Sequence, residues 1–367
     1  MLALEKMKKR DRVGRPAAAR IAAAALVAAF VAAAALPSLT LTGCKPKRHK
    51  VATGETPLIG FSMDSLVVER WRRDLDVFTR AANDLGAKVL VEVADQDPAV
   101  QEEQVRDLAD KGIDVLVIVP NDADRLSAVV REVRAKGLPV LSYDRLVRRA
   151  GVDLYVSFDN EKVGYLMAEA LLKAVPTGGY VVVNGPRNDN NAILLNAGVH
   201  RAIDPFVASG RLRIVAELWP ATWDSDEVHA GMESVVEKSA AIDAVISGND
   251  MLAEAAIGVL AESRIAAKVA GQDADLSACQ RIAEGSQFLT VYKPIERLAL
   301  KAAGLAVMLA RGESVETEST IDDGMGKVPY VRLEPIPVVK ETLMSTVIKD
   351  GFHTAAEVYR NASRPAR

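Results

Sequence analysis

Cysteine, histidine and aromatic residues are scarce in this sequence. Only two of its 367 residues are Cys, only four are His, and Phe, Trp and Tyr together make up 5%. The four His residues are scattered, without the close spacing of metal ligands, so no metal site is predicted. Cys279 lies on a predicted helix and is interpreted as a small buried apolar residue.

Sequence motifs for common catalytic chemistry are also missing. No Gly-x-Gly-x-x-Gly follows a predicted strand, and there is no phosphate-binding loop ending in Gly-Lys-Ser/Thr and no Gly-x-Ser-x-Gly. A pair of acids such as Asp144 and Asp159 could act on a glycoside, which keeps a secreted glycoside-processing enzyme as an alternative. The neighbouring Arg145 favours a permanently charged Asp144 over a proton donor. The sequence therefore predicts no enzyme, no catalytic residue and no cofactor.

The charge is mildly acidic. The chain has a formal net charge of -3, and residues 1–43 carry seven basic and two acidic residues, so the remainder is near -8. This net negative charge argues against nucleic acid as a partner, because binding to phosphates requires a positively charged surface. The basic run 45–50 is an exception, interpreted as a contact for anionic lipid head groups or as a solvated tether.

The start of the chain has the pattern of a bacterial lipoprotein signal. Basic residues at 8–12 precede an apolar Ala/Val/Leu segment that ends in Leu41-Thr42-Gly43-Cys44. This pattern predicts a lipoprotein signal peptide and lipobox over 1–44, with cleavage before Cys44, a lipid on Cys44 and a location outside the cytoplasm. The alternative is a membrane-spanning anchor over 17–36, which is about long enough to cross a bilayer. With Cys44 lipidated, no disulfide can form within the chain.

From residue 58 onward, short β-branched runs alternate with helical patterns, which predicts an α/β protein. The first series of predicted strands is 58–61, 88–93, 115–119 and 140–141, with helices near 69–85, 98–111 and 123–136. The second series of strands is 154–157, 180–183, 213–218, 244–246, 269–270 and 288–291, with helices near 160–175, 191–209, 225–239, 251–263, 275–284 and 295–311. This number of β-α units predicts two doubly wound parallel sheets, one in each of two lobes.

Polar and aromatic residues follow many of the predicted strands. Parallel sheets bind ligands outside the carboxyl ends of their strands, so these residues are candidates for a site. Asp122 and Asp250 are interpreted as helix caps, since Asp is favoured there. Arg145, Trp219 and Lys293 are not capping residues and are therefore stronger candidates.

The residues at the strand ends suit a neutral polyol. Arg, Asn, Asp and Gln form paired hydrogen bonds with the hydroxyls at the edge of a sugar ring, and flat aromatic side chains cover its faces. The three Trp residues are Trp71, Trp219 and Trp223, of which Trp219 and Trp223 lie beside a predicted strand end.

Seven sequence motifs are distinctive when they are taken together. The motifs are Val68-Glu69-Arg70-Trp71, Ser142-Tyr143-Asp144-Arg145, the run 156–164 containing Ser-Phe-Asp-Asn-Glu-Lys, Asp189-Asn190-Asn191-Ala192, Gly271-Gln272-Asp273-Ala274-Asp275, the run 290–295 and the closing run 347–353. Together they resemble the family of periplasmic D-xylose-binding proteins of sugar import systems. The resemblance runs from about residue 58 to residue 353.

The resemblance implies the type I periplasmic binding protein fold, with two doubly wound lobes joined by a three-strand hinge. It divides the chain into the signal 1–44, a linker over 45–56 and a tail over 356–367. The N-terminal lobe is expected to comprise 57–160 and 294–327, and the C-terminal lobe 161–293 and 328–355.

The resemblance also implies a set of ligand contacts. They are Arg70, Trp71, Asp144, Arg145, Asn190 or Asn191, Trp223, Asn249, Asp273 and Lys293. Trp223 is favoured over Trp219 as the second aromatic wall. Asp64-Ser65 departs from the paired acids usual in the family, which leaves the identity of the sugar open.

The implied function is that of a lipid-anchored solute-binding protein for a monosaccharide, D-xylose above all. Its partners would be that sugar, the membrane permease of an ATP-driven (ABC) importer and the lipid membrane, and the protein is expected to be a monomer. Alternatives are another pentose or hexose with a sensing role. A sugar-responsive transcription regulator is disfavoured, because a secretion signal occupies the place of its DNA-binding head.

Overall fold

The computed structural model describes residues 55–67, 70–238 and 241–364. The predicted signal 1–44 with Cys44, nearly all of the linker 45–56 and the last three residues of the tail lie outside the described residues. So do Val68 and Glu69 of the first motif. Within the described ranges, no helix is long and apolar enough to cross a membrane.

The first sheet has seven strands in the order β11-β12-β5-β4-β3-β1-β2 among the described residues. Its pairs are parallel except β11–β12, which is antiparallel. The strands are β1 (Leu58–Met63), β2 (Lys88–Val93), β3 (Val115–Ile118), β4 (Val140–Tyr143), β5 (Leu154–Phe158), β11 (Ser319–Asp322) and β12 (Lys327–Leu333).

The second sheet has six strands in the order β13-β10-β9-β8-β6-β7 among the described residues. All its pairs are parallel except β10–β13. The strands are β6 (Gly178–Val183), β7 (Leu212–Leu218), β8 (Ala244–Ser247), β9 (Lys268–Gln272), β10 (Leu289–Tyr292) and β13 (Ile336–Val338).

Helices cover both faces of each sheet. Buried runs such as Val115–Ile118 and Ala244–Ser247 are apolar or nearly so, because helices exclude water from both of their faces. The helices are α1 (Arg70–Asp84), α2 (Pro98–Asp110), α3 (Ser127–Ala135), α4 (Asn160–Ala174), α5 (Asn190–Ala208), α6 (Ser225–Lys238), α7 (Asp250–Glu262), α8 (Leu276–Glu284), α9 (Ile295–Ala310) and the short α10 (Ala355–Val358). A 3₁₀ turn (Lys340–Thr342) and a π-helical turn (Met344–Ile348) precede α10.

The chain passes between the two sheets at three points. The first follows β5, the second lies between β10 and α9, and the third joins β12 to β13. α9 packs with α1 and the first sheet in one apolar core. The predicted fold class, two doubly wound lobes joined by three crossovers, is confirmed.

One predicted boundary is wrong. The range 328–355 was assigned to the second lobe, but β12 pairs with β5 in the first sheet, so the crossover comes at residues 334–335. No strand after α9 is predicted from the sequence pattern. β11 and β12 form a half-exposed hairpin, and this hairpin joins the first sheet through the long-range pairing of β12 with β5.

The first crossover leads into two closely packed helices. A Cβ at Gly164 in α4 would overlap the carbonyl oxygen of Leu195 in α5, and a Cβ at Gly198 in α5 would overlap the carbonyl oxygen of Glu161. Glycine at both positions therefore lets the two backbones touch. This contact anchors α5, whose second residue, Asn191, lines the cavity described next.

Candidate functional site

A cavity lies between the lobes, at the carboxyl ends of the strands of both sheets. The space free of protein atoms, counted together with its opening to solvent, is about 340 Å³. The lining residues are Arg70, Trp71, Asp144, Arg145, Asp189, Asn191, Trp223, Asn249, Gln272, Asp273 and Lys293.

This lining includes all but one of the predicted contact residues. The exception is Asn190, which is the first residue of α5 and is not part of the lining; of the two alternatives, Asn191 faces the cavity. Two lining residues, Asp189 and Gln272, were missed. Both lie inside motifs that the sequence analysis quoted, directly before a predicted contact, so the motifs themselves were the available signal.

Arg70 joins three carboxylates at the first-lobe side of the cavity. Its guanidinium donates to Asp74 one helical turn away at 3.0 Å and to Asp144 at 2.8 Å, and its Nη1 lies 3.8 Å from Asp273 of the second lobe. All of these side chains are nearly inaccessible to solvent. Tyr143 also donates its hydroxyl to Asp74.

Arg145 links the two lobes. Its Nη1 donates to Asp64 of the first lobe at 2.7 Å, and its Nε lies 2.8 Å from Asp189 Oδ2 of the second lobe. From the sequence, Asp144 is expected to form an ion pair with its neighbour Arg145. In the structure Asp144 forms its ion pair with Arg70 instead, because the left-handed backbone of Asp144 (φ 59°) turns consecutive side chains towards different partners.

Asp273 and Lys293 form the second-lobe side of the charge network. Lys293 Nζ lies 2.7 Å from Asp273 Oδ1, and both side chains are buried. Gln272 donates its side-chain N–H to the carbonyl oxygen of Gly248 at 2.7 Å. Its other polar atom, Oε1, is buried without a hydrogen-bond partner in the described part of the chain.

Burial and charge act in opposite directions on the pKa values of these groups. Burial alone would raise the pKa of Asp144, but Arg70, Lys293 and Arg145 outweigh it and the pKa is lowered. Asp144 is therefore held as a charged hydrogen-bond acceptor. At Asp189, by contrast, burial dominates and raises the pKa in spite of Arg145.

Two tryptophans border the cavity. Trp71 is 2% exposed, and the guanidinium carbons of Arg70 and Arg145 lie 4.6 and 5.4 Å from its ring centroid. Trp223 donates its indole N–H to Asp189 at 3.1 Å.

The Trp223 ring packs against backbone. A Cβ at Gly185 would overlap the ring, and a Cβ at Gly248 would lie 3.2 Å from its Cζ3 atom. Trp219 does not line the cavity; it donates to Glu217 and stacks with Arg187. The preference for Trp223 over Trp219 as a wall of the site agrees with this placement.

Three polar residues at strand ends, Asn249, Asp122 and Asp250, differ in whether they cap a helix. Asn249 caps α7 by accepting from the backbone N–H of Leu252 at 2.8 Å, which leaves its amide group for other partners. Asp122 accepts from the backbone N–H groups of Asp124 and Arg125 in the turn before α3, but the N-cap position of α3 is Leu126, so the helix-cap interpretation is wrong for Asp122. The same interpretation is also wrong for Asp250, because Asn249 takes the cap position and Asp250 points into the second lobe.

The cavity offers both hydrogen-bond donors and acceptors to a ligand. Among the described residues, Trp71 Nε1 and Gln272 Oε1 are buried without a hydrogen-bond partner. Buried polar atoms are nearly always paired in folded proteins, so these two atoms mark places for ligand hydroxyls or water. Charged, amide and aromatic groups converging on one small space suit a polyol ring.

Comparisons with known proteins agree with this chemistry. The family model described as "Periplasmic binding protein domain" matches residues 59–314. The D-xylose-binding periplasmic protein of Haemophilus influenzae is 42% identical over 324 residues, which covers 88% of this chain and 98% of the relative. Its namesake from Escherichia coli K12 is 43% identical, covering 82% of this chain and 92% of the relative.

Solved structures give the same fold. A carbohydrate transporter solute-binding protein from Chloroflexus aurantiacus in complex with D-glucose aligns with a TM-score of 0.78 at 26% identity, covering 83% of this chain and 98% of that one. These matches confirm the resemblance that the motifs indicated. The chain belongs to the periplasmic binding protein family.

Proposed function

We propose that this protein captures a monosaccharide, D-xylose above all, in the cavity between its lobes and delivers it to the membrane permease of an ABC importer. The observation that carries the proposal is the cavity itself, where charged and amide groups from both lobes meet two tryptophans. The names of the relatives at 42% and 43% identity support D-xylose as the ligand.

Residues of both lobes take part in the proposed binding. Arg70, Trp71 and Asp144 belong to the first lobe, whereas Asn191 and Asp273 belong to the second. A ligand shifts an equilibrium between open and closed lobes only through contacts that differ between the two states. A sugar held from both sides therefore favours the closed form, which the permease would recognise. The protein acts as a monomer in this scheme.

Two other functions compete with this one. The D-glucose bound in the Chloroflexus aurantiacus protein supports another hexose or pentose as the ligand, with or without a sensing role. A glycoside-processing enzyme requires a carboxylic acid that donates a proton, usually one with a raised pKa. The pKa of Asp144 is lowered, and Asp159, the other acid of the predicted pair, does not line the cavity. Burial raises the pKa of Asp189, but its carboxyl is ion-paired to Arg145 and accepts from Trp223, so it is engaged in structural contacts.

Calorimetric titration of residues 45–367 with a panel of pentoses and hexoses tests the proposal. We expect the tightest binding for D-xylose, with a ratio of one sugar per chain. Tighter binding of another sugar would move the assignment to that sugar, and absence of binding across the panel would refute the function. Incubation with nitrophenyl xyloside should release no nitrophenol.

We also propose that Cys44 carries a lipid that holds the protein at a membrane surface outside the cytoplasm. Small residues precede Cys44 at the expected cleavage point, and the basic run 45–50 follows it. The Cys44→Ala variant should accumulate as an unprocessed precursor, whereas Cys279→Ala should be processed normally. Incorporation of labelled fatty acid into Cys44→Ala would contradict the assignment.

A further inference from the structure

Asp250 is a buried carboxylate that the ligand cavity does not use directly. It is the first residue of α7, has no exposed surface and is not part of the cavity lining. Its Oδ1 accepts from Gln287 Nε2 at 2.7 Å, and its Oδ2 accepts from Thr290 Oγ1 at 2.7 Å and from the backbone N–H of Asp275 at 3.1 Å. Since Asn249 already caps α7, helix capping does not explain this arrangement.

The partners of Asp250 hold the loop that follows β9. Asp275 donates its backbone N–H to Asp250 directly, and Ala274 donates its own to Thr290 Oγ1 at 3.1 Å, which in turn donates to Asp250. Two successive backbone N–H groups of the loop are therefore linked by hydrogen bonds to one carboxylate, one directly and one through the hydroxyl of Thr290.

This loop has an unfavourable backbone conformation. Asp273 has φ 98° and Ala274 has φ 59°, values that side chains other than glycine rarely adopt. Such conformations persist only where surrounding contacts impose them. Here the result is that the carboxylate of Asp273 faces the cavity, beside Lys293 and Arg70.

The side chain of Asp250 packs closely against neighbouring backbone and polar groups. A Cβ at residue 271 would overlap Asp250 Oδ1, so glycine is required at that position. Burial raises the pKa of Asp250 to about 7, although the hydrogen bonds from Thr290 and Gln287 favour the charged form. The nearby charged groups are Asp273 and Arg281, and Arg281 donates to the backbone carbonyl of Asp250 and to Gln287.

We propose that Asp250 and Thr290 are positioning residues for sugar binding: they hold the loop after β9 in its strained form and thereby aim Asp273 at the ligand. The inference rests on the proposed function, because it assigns the positioning residues to the same cavity. It predicts that these two residues govern affinity through Asp273 without touching the sugar.

Titration of D-xylose into the Asp250→Asn and Thr290→Val variants tests the proposal. Each should bind about 10- to 100-fold more weakly than wild type, by analogy with the loss of residues that orient metal ligands. Thr290→Ser keeps the hydroxyl and should bind as wild type does. If Asp250→Asn fails to fold, the Thr290→Val and Thr290→Ser pair decides the question.

A double-mutant cycle separates positioning from a general structural effect. In an Asp273→Ala background, Asp250→Asn should change affinity by less than about threefold, because interacting residues are not additive. An equal loss in both backgrounds would overturn the proposal, as would wild-type affinity of both Asp250→Asn and Thr290→Val.

Asp323 offers a matched control. It is a carboxylate with 1% exposure that accepts from the backbone of Ala150 at 3.0 Å and Gly151 at 2.6 Å, and it lies in the first lobe outside the cavity lining. Asp323→Asn should lower the melting temperature and leave the affinity unchanged. A matching loss of affinity in Asp323→Asn would overturn the specific role of Asp250. If wild type and Asp323→Asn both fail to bind any sugar, the proposed function itself fails, and this inference with it.

Discussion

Replacing Arg70 with Ala should destabilise the protein by about 3–5 kcal/mol, as expected when one partner of a buried ion pair is removed. Arg70 is the hydrogen-bonding cation of both Asp74 and Asp144, and all three side chains are nearly inaccessible. The variant leaves two carboxylates buried, so binding of D-xylose should also be lost. Urea unfolding at pH 7 measures the first effect and calorimetry the second.

The loss of unfolding free energy in Arg70→Ala, relative to wild type, should depend on pH. In wild type the pKa of Asp144 is lowered, so its contribution to stability is present at neutral pH and declines as the pH falls. Without Arg70, burial should raise the pKa of Asp144, so the variant gains stability on protonation as the pH falls. The difference in unfolding free energy between the two proteins should therefore shrink from pH 7 to pH 5.

Arg73→Ala is the matched control on the same helix. Arg73 pairs with Glu296 where the two side chains are 33% and 46% exposed, so its loss should cost no more than about 1 kcal/mol. Equal effects of the two substitutions would contradict the role assigned to the buried network around Arg70.

Trp223→Ala should weaken binding of D-xylose by about 2–4 kcal/mol, the cost of truncating an aromatic residue at a binding hot spot. Trp223 lines the cavity with its ring supported by the backbone at Gly185 and Gly248. Bound sugar should change the intrinsic fluorescence of the protein, and removal of Trp71 or Trp223 should abolish much of that change.

Trp219→Ala is the control for Trp223, since Trp219 lies four residues away, is also half-buried and does not line the cavity. Its affinity and its sugar-dependent fluorescence change should stay close to wild type. If Trp223→Ala and Trp219→Ala bind D-xylose equally well, Trp223 does not contribute an aromatic contact to the ligand.

The repeated β-α pattern was sufficient to predict most of the fold. The strands β1 to β10 and the helices between them appear where alternation of β-branched runs and helical patterns places them, because strands buried on both faces must be continuously apolar. The hairpin of β11 and β12 and the short β13 were not predictable in this way, since their places in the sheets depend on partners distant in sequence.

For the cavity, local sequence determined the residue types at the strand ends. The rule that ligands lie outside the carboxyl ends of parallel strands selected Arg145 and Lys293 as candidates, and the resemblance implied Asp144, Asn249 and Asp273 as further contacts. The motifs added Arg70, Trp71, Asn191 and Trp223, and all of these line the cavity.

Only the tertiary structure decided which charges pair and what each side chain does. Asp144 is adjacent to Arg145 in the chain but is bound by Arg70, and Arg145 reaches across the lobes to Asp189. Asp250 is of a residue type that favours helix caps, but it is the first helical residue of α7 and serves as a buried acceptor for β10 and the loop after β9. Sequence determines residue type and local backbone preference, whereas ion pairs and buried hydrogen bonds depend on distances of a few ångströms between elements far apart in the chain.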